Sequence, residues 1–148
     1  MSFAIANETE APKVAASRRS SGPSRALVVD DQPEVCGFLS QILELLGLES
    51  TAETNPMKAL DRLNEDDFDV VISDFKMPEM TGVEFFHSAV ESNPGIASRF
   101  IFLTGDLFNM ETQATIAALG VPVLGKPFRI ATVEQIVGDM LAKNRAVV

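Results

Sequence analysis

Four polar signals in this chain each follow a short apolar run: Asp30-Asp31 after ALVV, Asp74 after VVIS, Thr104 after FIFL, and Lys126-Pro127 after VPVLG. Carboxylates, a hydroxyl and an ammonium are together the groups that hold a hard cation and handle a phosphoryl group. Taken singly, each has a plainer reading, because aspartate favours turns and helix caps. Taken together they need an explanation. Three carboxylates within about 5 Å repel by roughly 3 kcal/mol per pair at an effective dielectric near 20, so a cluster of them calls for positive charge. Lys126 supplies one charge, and a divalent ion with oxygen ligands supplies the rest. Mg²⁺ suits the donor set, since it takes one or two carboxylates, keeps several waters and completes its shell with phosphate oxygens.

These residues meet only if the apolar runs are neighbouring strands. Ala26–Val29, Val70–Ile72, Phe100–Leu103 and Val121–Leu124 read as buried strands, and Leu48–Ala52 as a weaker fifth with alternating polarity. Between them lie helical patterns. Val35, Phe38, Leu39, Ile42, Leu45 and Leu46 fall on one helical face, with Gly47 at the stop. Asn55 and Pro56 form an N-cap and first-turn proline ahead of Ala59, Leu60 and Leu63. Val83–Ser92, Met110–Leu119 and Thr132–Lys143 supply three more, the last carrying Val133, Ile136, Val137, Met140 and Leu141. Strict alternation of five strands and five helices predicts an α/β fold, a doubly wound parallel sheet, whose chemistry gathers at the carboxyl ends of the strands.

Composition narrows the function classes. The 148 residues, 46% hydrophobic, make about one ordinary domain with a core. A net charge of −9 argues against nucleic acid or an anionic membrane as partner. The single cysteine, Cys36, permits no internal disulfide and reads as a packing residue, which suits a cytoplasmic location. His87, the sole histidine, is expected to face solvent, and most phenylalanines to be core. No apolar run approaches the roughly 20 residues of a membrane span, and the start turns acidic too early for a signal peptide. Residues 1–25, rich in Ala, Ser and Pro with four cations against two acids, read as a flexible linker, leaving the domain over 26–145. No glycine-rich nucleotide loop follows any strand.

The segments VVDDQ, VVISDFKMPEMTGVEFF, FIFLTGD and VLGKPF, with Thr104 lying 30 residues after Asp74 and Lys126 a further 22 on, resemble the receiver domain of bacterial two-component response regulators. The resemblance implies the flavodoxin-like strand order 2-1-3-4-5. It implies that Asp74 accepts a phosphoryl group from a histidine kinase or histidine phosphotransfer protein. Asp31 and Asp74 would bind Mg²⁺ directly, Asp30 mainly through a water, and the Lys76 backbone carbonyl would complete the protein ligands. Thr104 would donate to a phosphoryl oxygen, and Lys126 would pair with Asp74 and then with the phosphate. The Lys126–Pro127 bond would be cis. The surface of the last two helices and the strand between them, including Asp106–Met110, Val121–Leu124 and Ile130–Val133, would carry output to a downstream protein. With few residues after the last helix, the expectation is a stand-alone regulator or the C-terminal receiver of a hybrid kinase; the receiver would promote its own phosphorylation and dephosphorylation without being an enzyme, whereas a parent hybrid kinase would be one.

Two features depart from the pattern. Receivers often carry an aromatic residue three positions before the lysine, where this chain has Val123, so the familiar threonine-to-aromatic relay is not expected. Gly105 leaves the pocket open, and Lys76 puts a long cation at its rim. Two rival readings remain to be weighed. A haloacid dehalogenase-like phosphatase needs a second acid two residues after its nucleophile, where Lys76 stands. A non-phosphorylated docking module would have lost an acid or the lysine, and none is lost.

Overall fold

The computed structural model describes residues 22–146, so the expected linker lies almost wholly outside the described residues. The elements run β1 (Arg25–Val29), α1 (Pro33–Leu45), β2 (Glu49–Glu53), α2 (Pro56–Glu65), β3 (Val70–Asp74), α3 (Gly82–Ser92), β4 (Phe100–Thr104), α4 (Met110–Leu119), β5 (Val123–Gly125) and α5 (Ile130–Ala146). All four pairings are parallel, in the order β2-β1-β3-β4-β5.

β3 and β4 are buried along their whole lengths, and β1 from Ala26 onward, because helices cover both faces; this is why they read as solid apolar runs. Alternate residues of each strand serve opposite cores. Ala26, Val28, Val70 and Ile72 pack with Cys36, Leu39, Ile42 and Leu43 of α1 and with Val133, Val137 and Met140 of α5. Leu27, Val29, Val71, Phe100 and Phe102 pack with Ala59 and Leu63 of α2, Phe85 and Phe86 of α3, and Ile116 of α4. In the second core Phe86 meets Phe100 edge-on at 4.9 Å between ring centroids, the geometry favoured by the ring quadrupoles. β2 is one of the two edge strands; Glu49 and Ala52 are exposed and the other three residues half-buried, so it carries no solid apolar run, and the alternation expected of it is not seen.

Helix boundaries follow the local chemistry. Asn55 caps α2 by accepting from the backbone N–H groups of Met57 and Lys58, with Pro56 at the first helical position. Gly120 ends α4 in the left-handed region at φ +69, where a side chain would be strained.

Three expectations need correction. The buried face of α1 is Cys36, Leu39, Ile42 and Leu43, while Phe38 and Leu45 are exposed; Phe38 instead stacks on Phe128. β5 starts at Val123, not Val121, since Pro122 has no N–H for the ladder, although its carbonyl still accepts from Phe102 N at 2.9 Å. A 3₁₀ helix over Pro94–Arg99, absent from the sequence reading, joins α3 to β4 and buries Ile96.

Candidate functional site

The register aligns Asp74 with Leu103 and Thr104 with Gly125, so the carboxyl ends of β3, β4 and β5 form one rim, and β1 ends beside them. Asp30, the first residue past β1, is completely buried. Its backbone N–H donates to the Glu53 carbonyl at 3.2 Å. Its Oδ1 accepts the Gln32 N–H at 2.9 Å, turning the chain into α1, and the Cys36 thiol donates to its carbonyl at 3.3 Å. Burial, and after it the negative charge of Asp30, push that thiol up to about 11, so Cys36 is a packing group and not a nucleophile. The remaining oxygen, Asp30 Oδ2, is buried and faces the Lys126 ammonium at 3.0 Å, with no other hydrogen-bond partner among the described residues.

Lys126 also lies 3.3 Å from Asp74 Oδ1, so one ammonium bridges two buried carboxylates, where the sequence reading paired it with Asp74 alone. Carboxylate oxygens of Asp30, Asp31 and Asp74 all lie within 4.8 Å of one another, with Asp31 on the solvent side. Burial, reinforced by the charge of Asp30, pushes the Asp74 carboxyl up to about 6 despite the lysine. Burial works to lower the Lys126 pKa, but the close Asp30 and Asp74 carboxylates outweigh it and hold the ammonium above its ordinary value. The cluster therefore remains short of positive charge. Three converging hard donors that share a single ammonium fit a divalent cation of the Mg²⁺ class.

Thr104 is buried at the end of β4 and accepts the Asp106 N–H on Oγ1 at 2.9 Å, while its carbonyl accepts the Lys126 N–H at 2.7 Å. The Lys126–Pro127 bond is cis. Lys76, expected at the rim, is exposed there, its ammonium paired with Asp106. That partner was missed. A signal existed, since Lys76 and Asp106 each stand two residues beyond the ends of adjacent parallel strands.

Gly82 is a glycine for reasons of space and not of backbone freedom, because its φ is not positive. An added Cβ there would lie 2.4 Å from the Asp74 carbonyl oxygen and 2.8 Å from Phe75 Cα, so the glycine lets α3 start directly against the backbone that carries Asp74. Thr81 fixes that start through a reciprocal cap with Glu84. Val123 is half-buried and lines, with Leu107, Ile116 and Val121, an apolar groove of about 240 Å³. His87 is exposed as expected.

Comparison with known proteins agrees with this arrangement. A family model described as "Response regulator receiver domain" matches residues 26–138. The response regulator receiver protein CpdR of Brucella abortus is 31% identical over 117 residues, 79% of this chain and 96% of its own length. The probable chemotaxis protein CheY of Rhizobium etli is 35% identical over 124 residues, 78% of this chain and 94% of its own. Among solved structures, Vibrio cholerae chemotaxis protein CheY4 matches with a TM-score of 0.74 at 28% identity, over 81% of this chain and 100% of that one.

Proposed function

The chain belongs to the receiver-domain family of response regulators, and on that premise we propose that residues 26–145 form a Mg²⁺-dependent phosphoacceptor with Asp74 as the acceptor. The observation that carries this reading is the convergence of three carboxylates within 4.8 Å of one another, two of them, Asp30 and Asp74, bridged by the Lys126 ammonium. The family is one of signalling domains in two-component systems, so what is transferred is a signal and not a product.

Each residue has a role suited to its surroundings. An Asp74 carboxylate oxygen attacks the phosphorus of a phosphohistidine, the bond to the histidine nitrogen breaks, and an acyl phosphate forms. Asp31 and Asp74 would hold Mg²⁺ directly, Asp30 through a water, and the Lys76 carbonyl would complete the set; the metal supplies charge neutralisation at the phosphoryl oxygens. Lys126 can turn from carboxylate to phosphoryl group without leaving its place. Thr104 can donate its hydroxyl proton to a phosphoryl oxygen once its own rotamer changes.

The donor would be a histidine kinase or phosphotransfer protein in the cytoplasm; among the described residues, no helix is long and apolar enough to cross a membrane. Output would pass through α4, β5 and α5. With Val123 at the groove there is no aromatic ring to swing, so the response to Thr104 must travel through the β4–α4 loop. The phosphatase alternative is disfavoured, since the position of its second acid is filled by a lysine paired to Asp106.

Incubation of the full chain with a small acyl phosphate donor tests the reading. Incorporation of one base-labile phosphate with Mg²⁺ present, lost on chelation, is the expected result. Equal incorporation with and without the metal would contradict it.

A further inference from the structure

The pair formed by Lys76 and Asp106 bridges the β3–α3 and β4–α4 loops, and its acidic member has a second attachment. The Asp106 backbone N–H donates to Thr104 Oγ1 at 2.9 Å. Because Oγ1 is the acceptor, the hydroxyl proton stays free to be donated, but a rotation of the Thr104 side chain that carries Oγ1 toward a phosphoryl group either breaks this hydrogen bond or takes the loop with it. Lys76 also lies within electrostatic reach of the Asp74 carboxylate, two residues before it in the chain. A phosphoryl group on Asp74 would therefore bring a more highly charged anion to an ammonium already engaged with Asp106.

We propose that Lys76 and Asp106 form an exchange latch that positions Thr104: the ion pair holds the β4–α4 loop in the resting form, and the phosphorylated site releases it by drawing Lys76 away. Both residues act as positioning residues. The device rests on the reading of Asp74 as phosphoacceptor and gives that site a mechanical link to the loop. It also fits the missing aromatic, because the released segment carries Phe108, 89% exposed, and Met110, 82% exposed, at the head of α4.

An exposed ion pair can also be inert, so coupling is the thing to measure. Apparent affinity for beryllium trifluoride with saturating Mg²⁺, a phosphoryl mimic, is read for the full chain and for Asp106→Asn, Lys76→Met and the double variant. Removing the competitor for Lys76 is expected to tighten binding in Asp106→Asn by about two- to fivefold, the range of an exposed pair. In the Lys76→Met background the same change is expected to do nothing. Hydrogen exchange at the Asp106 amide should accelerate when the mimic binds to the parent chain.

Equal tightening in both backgrounds would show Asp106 acting as a bare repelling charge and would overturn the latch. An unchanged exchange rate at the Asp106 amide would overturn its link to Thr104. Failure of the parent chain to bind the mimic would instead bring down the phosphoacceptor reading, and this inference with it.

Discussion

Asp74→Asn is expected to abolish phosphate incorporation and, in the absence of metal, to make the domain more stable than its parent at pH 8. Both effects come from one carboxyl group. The amide cannot form the acyl phosphate, and undiminished labelling of this variant would remove Asp74 from its role. The gain in stability follows from burial. The native Asp74 carboxyl sits at about 6 against an ordinary 3.8, chiefly through desolvation and then through Asp30. Between pH 4 and pH 6 the native state keeps a proton that the unfolded chain has released. Stability in the parent therefore falls as pH rises through that window, and the penalty is complete above pH 6. Its size is about 1–3 kcal/mol. Melting curves with chelator should place the variant above the parent at pH 8 and level with it near pH 4. Added Mg²⁺ should reverse the order, because the parent keeps all of its metal-facing oxygens; a ligand at a hundred times its dissociation constant contributes about 2.7 kcal/mol.

The second large effect is expected from Lys126→Ala. Its ammonium is the close positive group facing both Asp30 Oδ2 and Asp74 Oδ1, and Asp30 Oδ2 has no other hydrogen-bond partner among the described residues to fall back on. Removing one partner of a buried pair leaves an uncompensated charge, here worth about 2–4 kcal/mol in the metal-free protein at neutral pH. Mg²⁺ should still bind, since the carboxylates remain, and should recover part of the lost stability. Phosphotransfer should slow on the order of 10²-fold, as a preorganised cation is lost from the developing charge. Urea titrations with and without Mg²⁺ check the first effect, and initial rates of labelling check the second. A variant as stable as its parent without metal would show that the bridging ammonium contributes nothing.

What the sequence disclosed was governed by burial. β3 and β4 are apolar throughout because both faces are covered, and a run such as FIFL has few other homes in a chain of this kind. The rim residues were legible because each follows such a run directly, and parallel strands bring their carboxyl ends together. The exposure of Phe38 on α1 was not, since Phe38 is as apolar as Leu39, and its stacking on Phe128 leaves no trace in the helical pattern. The brace between Lys126 and Asp30 was also hidden. Both carboxylates lie one step from the lysine in space, and a linear reading cannot divide one ammonium between them. The requirement for glycine at position 82 is the close approach of two backbones, which leaves no mark in a linear reading. The Lys76–Asp106 pair joins exposed positions 30 residues apart that no hydrophobic pattern marks, and its one trace in the sequence is their equal offset from the ends of β3 and β4.

The central claim is that Asp74 receives the phosphoryl group at a metal-completed acidic site. Its most direct test is mass mapping of the full chain after labelling with an acyl phosphate donor in Mg²⁺. A single base-labile phosphate on the peptide carrying Asp74, absent from a chelated control, is the predicted result. A phosphate on Asp30, Asp31 or a hydroxyl side chain, or none at all, would contradict it.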